Sequence, residues 1–230
     1  MITGAASGIG AATARICAEM GAATVLVDKN DCTEIANAIR AQAGRAEPRR
    51  CDVAKRFEVE TLVAACAPID ALVVSSAICP WDDWDDAGWD QVFQSVIAVN
   101  LLGPMHLARA ALPGMMAKGG GSIVMVGSLA GRSGGLIASP HYVAAKGGLH
   151  ALVRWLALRA APGGVVVNGV APASVRTPMM QGQSVDVARI PLGRMAEPDE
   201  IGWPIAFLCS RAASFMTGTI LDINGGVLMA

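Results

Sequence analysis

The sequence predicts an α/β fold: a single doubly wound domain over residues 1–230, with one parallel sheet and helices on both faces. Three observations carry this. Short β-branched runs alternate with alanine-rich helical patterns along the whole length. The runs are continuously apolar rather than strictly alternating, as in strands buried on both faces. Strand-then-helix repetition calls for parallel strands joined by right-handed crossovers. A chain of 230 residues without linker, internal repeat or low-complexity tract suits one domain.

In chain order, a glycine-rich turn opens a helix over 9–20, followed by a strand over 24–28 and a helix over 33–42. A third helical pattern covers 57–66, then a strand at 71–75 and a long apolar helical pattern over 89–116. A strand at 122–126 leads to a helix over 139–161, which Ser139 and Pro140 open as N-cap and first-turn proline. Strands at 165–170 and 220–223 flank a helix over 198–209.

Composition removes several classes of function. With 53% hydrophobic and 16% charged residues, the chain is not disordered. A net charge of −1 and the lack of a basic stripe exclude a strongly electrostatic nucleic-acid binder. No uninterrupted apolar run approaches the ~18 residues of a spanning helix, so no membrane partner is expected. The six cysteines form no C-x-x-C pair and no Cys/His cluster with ligand spacing. They read as small buried hydrophobes in a reducing cytoplasm, with no metal expected. No signal-like segment precedes the first motif, which again points to the cytoplasm. The acidic stretch 81–86 (WDDWDD) lacks a calcium-loop pattern and reads as a solvated loop leading into a helix.

Three features carry chemistry. Thr3-Gly4-Ala5-Ala6-Ser7-Gly8-Ile9-Gly10 places glycines where a backbone turns sharply toward a pyrophosphate at a helix N-terminus. Its G-x-x-x-G-x-G spacing is neither the G-x-G-x-x-G fingerprint nor a Walker loop. Asp28 ends the next strand, where a carboxylate accepts hydrogen bonds from an adenosine ribose and repels a 2′-phosphate, favouring NAD over NADP. Tyr142, the single tyrosine, precedes Lys146 by four positions, so both share a helix face. A phenol with a reference pKa of ~10 is expected to be lowered by the adjacent ammonium.

These residues, with Asp52-Val53, Asn100, Ser128, Asn168, Pro172, Thr177-Pro178-Met179, Thr217-Gly218 and Asn224-Gly225-Gly226 in that order, resemble the short-chain dehydrogenase/reductase family over essentially the whole chain. The resemblance implies a Rossmann-type domain and an NAD(P)-dependent oxidoreductase acting on an alcohol or ketone as a homodimer or homotetramer. It implies that Tyr142 exchanges a proton with the substrate oxygen and that Lys146 holds the nicotinamide ribose and lowers Tyr142. Ser128 would bind the substrate oxygen, and Asn100 would order a relay water. The implied cofactor contacts are Gly4, Ser7, Gly8, Ile9, Gly10, Asp28, Asp52, Val53, Ser76, Ala77, Tyr142, Lys146, Pro172, Val175 and Thr177. Taken as residues alone, Asn100 reads equally as a cap or bend in its long helix, and Ser128 as a strand-end turn residue.

The sequence departs from the family in four places. Val74-Ser75-Ser76-Ala77 stands for Asn-Asn-Ala-Gly, and Pro172-Ala173 for Pro-Gly. Only Met1 and Ile2 precede Thr3, against a typical strand of ~5–6 residues; either the natural chain begins upstream or the domain tolerates a short central strand. The segment from Thr177 to Arg194 is short for a substrate lid and predicts an open site.

Expected pocket walls are 78–84, 131–141 and 179–190. Ile78, Trp81, Leu136, Ile137, Met179, Met180 and Ile190 favour a hydrophobic alcohol or ketone, while Arg132, Arg176 and Arg189 offer a grip for an anionic or thioester substrate. His141 points away from Tyr142 and reads as structural. The helix after Tyr142 is apolar on several sides (Leu149, Leu152, Val153, Trp155, Leu156, Leu158), which marks an association surface. The leading function is an NAD-linked secondary-alcohol dehydrogenase. The alternatives are a 3-oxoacyl-thioester reductase and a dinucleotide-binding scaffold with a degraded site.

Overall fold

The computed structural model describes residues 1–135 and 137–229. Its elements in order are β1 (Ile2–Thr3), α1 (Gly8–Glu19), β2 (Ala23–Asp28), α2 (Thr33–Ala41), β3 (Arg45–Arg50), α3 (Arg56–Cys66), β4 (Ala71–Val74) and α4 (Trp89–Ile97). There follow a π-helical segment (Ala98–Leu102), α5 (Gly103–Ala117), β5 (Gly121–Val126), the short α6 (Ala130–Ser133), α7 (Pro140–Ala160), β6 (Val165–Pro172), α8 (Pro198–Cys209) and β7 (Ile220–Ile223). The strands form one parallel sheet in the order β3-β2-β1-β4-β5-β6-β7.

Successive strand residues point to opposite faces, and here they feed two separate cores. Leu72, Val74, Ile123, Met125 and Val167 meet Val59 and Leu62 of α3, Leu107 and Met115 of α5, and Leu149 and Val153 of α7. Val73, Val124, Val126 and Val170 meet Ala14 of α1, Ile39 of α2, and Ile201 and Ile205 of α8. Burial on both faces explains why the central strands read as unbroken apolar runs. The continuous helix from Trp89 to Ala117 is long and apolar enough to cross a membrane by length and composition. In this fold it contributes Val96, Leu107, Ala108, Ala111 and Met115 to the buried interior.

Two strands were not legible as apolar runs. β3 reads RAEPRR; it is an edge strand paired only to β2, where polar side chains and Pro48 are tolerated. β1 has two residues, yet it pairs with β2 on one side and β4 on the other. Met1 extends the ladder: its carbonyl accepts from Val73 N at 2.9 Å and its amino group donates to Ala71 O at 2.9 Å.

The order reverses direction between β1 and β4, and in open α/β sheets ligands bind beyond the strand C-termini at such a switch point. The far edge is stitched by side chains from the sequence pattern. Asn168, fully buried, donates from Nδ2 to Met216 O at 2.7 Å and accepts from Thr219 N at 3.2 Å. Thr217 Oγ1 accepts from Val167 N at 3.1 Å. Asn168→Ala strands a part-buried carbonyl and a part-buried N–H, so chemical denaturation is expected to show a loss of about 1–3 kcal/mol.

Candidate active site

One cleft of ≈ 530 Å³ opens at the C-terminal ends of β1, β4, β5 and β6. It gathers Gly4, Ser7, Gly8, Ile9, Gly10, Ala77, Ser128, Tyr142, Lys146, Pro172, Val175 and Thr177 from the sequence-predicted set.

The β1–α1 turn is built on glycine. Gly4 has φ +69° and Gly8 φ +54°. A Cβ on Gly10 would lie 2.1 Å from Gly4 O, and one on Gly4 would lie 2.8 Å from the Ser75 and Ser76 backbone. Ser7 occupies the N-cap of α1, and its side chain bonds no helix N–H. The first-turn N–H groups therefore face the cleft unpaired within the helix, as anion sites require. Thr177 closes over this turn, with its Cγ2 3.1 Å from a Cβ placed on Gly8.

Asp28, Asp52, Val53, Ser76 and Asn100 do not line the main cleft. Asp28 sits against the glycine turn: one carboxylate oxygen accepts from Ala6 N at 3.2 Å, the other from Asn30 N at 3.0 Å. Asp52 lines a second cleft with Lys29, Arg50, Lys55 and Glu58, and Val53 is buried in the core. Ser76 N donates to Thr3 Oγ1 at 3.4 Å. Asn100 lies in the π-helical segment, 1% exposed. Its Nδ2 donates to Ile78 O at 2.8 Å and its Oδ1 accepts from Ile78 N at 2.9 Å. Both amide atoms hold the loop after β4, so this side chain does not cap the helix.

On α7, Tyr142, Lys146 and His150 lie one turn apart. Lys146 Nζ donates to Val126 O at 2.8 Å and lies 5.6 Å from the Tyr142 ring centroid. Burial pushes Lys146 down to about 8, with Cys79 opposing. Burial also pushes the Tyr142 phenol above its usual range; nearby Cys79 adds to this, and a hydrogen bond with Ser128 works against it. The phenol is therefore shifted upward, opposite to the direction expected from the adjacent lysine, and at neutral pH Tyr142 is a protonated donor. The sequence reading overlooked His150, although its i+8 spacing from Tyr142 places it on the same face. His150 Nε2 accepts from Ser128 N at 3.4 Å. A Cβ on Gly127 would lie 2.2 Å from the same nitrogen, so glycine at 127 makes room for the imidazole beneath Ser128.

The loop after β4 is fastened at two points. Ser139 is the N-cap residue of α7, but its hydroxyl does not cap the helix. It donates instead to Asp82 O at 2.7 Å, with Asp82 Oδ1 at 2.9 Å. His141 Nε2 lies 3.0 and 3.1 Å from the two Asp82 oxygens, and Trp89 stacks on its ring at 5.6 Å. Burial pushes the Asp82 carboxyl up, but bonds from His141 and Ser139 more than offset this and hold it below its usual range. Asp82 is thus a part-buried clamp, not the solvated loop residue the acidic run suggested. Trp81 Nε1 donates to Met179 O at 3.3 Å, joining this loop to the opposite wall.

Of the expected apolar walls, Trp81, Ile137, Met179, Met180 and Ile190 line the cleft, joined by Cys79; Ile78 does not, and Leu136 lies outside the described residues. Ala77 and Ala173 also line it. Neither has a positive φ, so these departures from glycine carry no left-handed backbone strain.

Burial, then Arg132, Lys146 and Arg154, push His150 from 6.5 down to about 4. The unfolded chain therefore takes up this proton first as pH falls. The resulting contribution to stability is complete above pH 6.5 and lost progressively toward pH 4. The melting temperature is expected to fall over that window in wild type and to fall less in His150→Gln.

Residues 4–228 match a family model described as enoyl-(acyl carrier protein) reductase. The chain is 41% identical to cis-4-hydroxycyclohexanecarboxylate dehydrogenase of Sinomonas cyclohexanicum, covering 98% of this chain and 94% of that protein. Among solved structures, a Beutenbergia cavernae protein with NADP bound at low occupancy superposes with TM-score 0.94 at 33% identity, covering 100% of this chain and 96% of that one. A 3-oxoacyl-[acyl-carrier protein] reductase of Brucella melitensis with bound NAD superposes with TM-score 0.92 at 30% identity, covering 100% and 90%. The glycine turn, the Ser128–Tyr142–Lys146 group and these likenesses over the full length agree: the chain belongs to the short-chain dehydrogenase/reductase family and is an NAD(P)-dependent oxidoreductase.

Proposed function

We propose that the protein interconverts a secondary alcohol and its ketone with NAD as the preferred dinucleotide. The observation that carries this is a single cleft holding both the glycine turn and the Ser128, Tyr142 and Lys146 side chains. The turn fits a dinucleotide: Gly4, Ser7, Gly8, Ile9 and Gly10 line the cleft, and a Cβ at Gly4 or Gly10 would strike neighbouring backbone and force the turn apart. Gly4, Ser7, Gly8, Ile9 and Gly10 hold its phosphates, Asp28 its adenosine ribose, and Asp52 and Val53 its adenine end. Ser76, Ala77, Pro172, Val175 and Thr177 flank the remainder. When bound, the dinucleotide accepts or supplies hydride.

Ser128 Oγ donates to the substrate oxygen and stabilises charge developing there. Tyr142 gives that oxygen its proton in reduction and removes it in oxidation. Lys146 keeps positive charge beside the phenol and holds the nicotinamide ribose. Because burial holds Tyr142 protonated, ketone reduction has its acid ready at neutral pH. Alcohol oxidation needs the phenolate and is expected to accelerate as pH rises. A relative acting on cis-4-hydroxycyclohexanecarboxylate supports a ring-sized substrate. The Brucella melitensis likeness favours a 3-oxoacyl-thioester as the second reading, which parallel assays with an acyl thioester and a cyclic ketone separate. Exposed Trp155 and Leu158 on α7, with Trp203 and Phe207 on α8, support association into a homodimer or homotetramer, testable by light scattering.

Tryptophan-to-NADH energy transfer should report tight NADH and weak NADPH binding. Tyr142→Phe should abolish turnover while NADH binding persists; retained turnover would sink the role of the phenol. Asp28→Ala should move the NADH-to-NADPH affinity ratio toward NADPH by about tenfold or more, the scale of one charge-assisted hydrogen bond, because Lys29 and Arg50 remain nearby.

A further inference from the structure

We propose that Arg189 is a carboxylate-binding residue in the substrate part of the cleft, and that the enzyme's alcohols are hydroxy acids with an apolar body. This rests on the alcohol–ketone reading above.

The sequence offers several arginines near the cleft, and the fold occupies most of them. Arg176 Nε pairs with Glu197 at 2.8 Å and Arg194 holds Glu200 through two bonds. Arg132 lies 2.9 Å from Asp222 and donates to Ile220 O at 2.6 Å. Arg189 lines the same cleft as Ser128 and Tyr142. Its guanidinium makes no hydrogen bond or ion pair among the described residues. The other charged groups lining the cleft are Lys146, whose ammonium is bonded to Val126 O, and Asp186.

Asp186 serves the turn that carries Arg189. Its Oδ1 accepts from Ala188 N at 3.1 Å and its carbonyl accepts from Arg189 N at 3.2 Å. The next residue, Ile190, is 7% exposed. It packs so closely on Gly225 that a Cβ there would lie 2.8 Å from Ile190 Cγ2. The Gly193 N to Ile190 O bond at 2.7 Å closes the following turn. Arg189 therefore projects from an anchored segment.

The same cleft is lined by Trp81, Ile137, Met179 and Met180. Arg189 is exposed and so open to a ligand entering the cleft, and a guanidinium matches a carboxylate in a two-pronged geometry. The cleft thus has proton-transfer groups, an apolar wall and an uncommitted cation, which suit a hydroxyl, a hydrocarbon body and a carboxylate on one small molecule.

The test is NAD-linked oxidation of cis-4-hydroxycyclohexanecarboxylate and of its methyl ester, which keeps the ring alcohol and removes the charge. Arg189→Leu is expected to lower kcat/KM for the acid by about 10- to 100-fold, mainly through KM. It should leave the ester and NADH binding unchanged, and Arg189→Lys should recover part of the loss. An equal loss on acid and ester, a loss of NADH affinity, or an unchanged acid rate overturns the assignment. A wild type that oxidises the ester but not the acid overturns it while leaving the alcohol–ketone reading intact. A wild type that oxidises no alcohol in a broad panel overturns both.

Discussion

The contact between Gly4 and Gly10 is the constraint on which the rest of the cleft depends. With 2.1 Å between Gly4 O and the place a Cβ would take on Gly10, only a residue without a side chain lets α1 start this close to the end of β1. That closeness aims the unpaired N–H groups of α1 along the crevice between β1 and β4. It also seats Gly4 against the Ser75–Ser76 backbone, so the loops after β1 and β4 share one wall. β1 has ladder partners on both sides, and its outgoing turn is fixed by this contact.

The second organising element is α7. Its helical pitch stacks Tyr142, Lys146 and His150 along one face, and each touches the turn after β5 differently. Lys146 bonds the last carbonyl of β5, His150 lies under Gly127 and Ser128, and Tyr142 meets the Ser128 hydroxyl. Burial depresses the two bases and raises the phenol. The polar groups that do the chemistry are therefore held in their less charged tendencies by desolvation, which favours proton transfer over permanent ionisation.

The loop after β4 obtains its position from side chains rather than regular structure. Asn100 grips Ile78, Asp82 binds Ser139 and His141, and Trp81 reaches Met179. This arrangement explains why residues distant from the reacting atoms share the cleft's geometry. The π-helical turn at Asn100 also interrupts an otherwise regular helix next to the site, a frequent location for such turns.

The sequence by itself determined the doubly wound sheet, the five apolar strands, the helical segments and the Tyr142–Lys146 face. Those signals are local: a run buried on both sides is apolar throughout, and four residues along a helix always return to one face. It did not reveal β3, because an edge strand need not be apolar, nor the work of Asp82 and His141, which lie 59 positions apart and meet only when the loop after β4 closes on α7. The direction of the Tyr142 shift also belonged to the tertiary structure. A neighbouring lysine is visible in the sequence, whereas the desolvation that raises the phenol arises only when strands and helices from the whole chain exclude water from it.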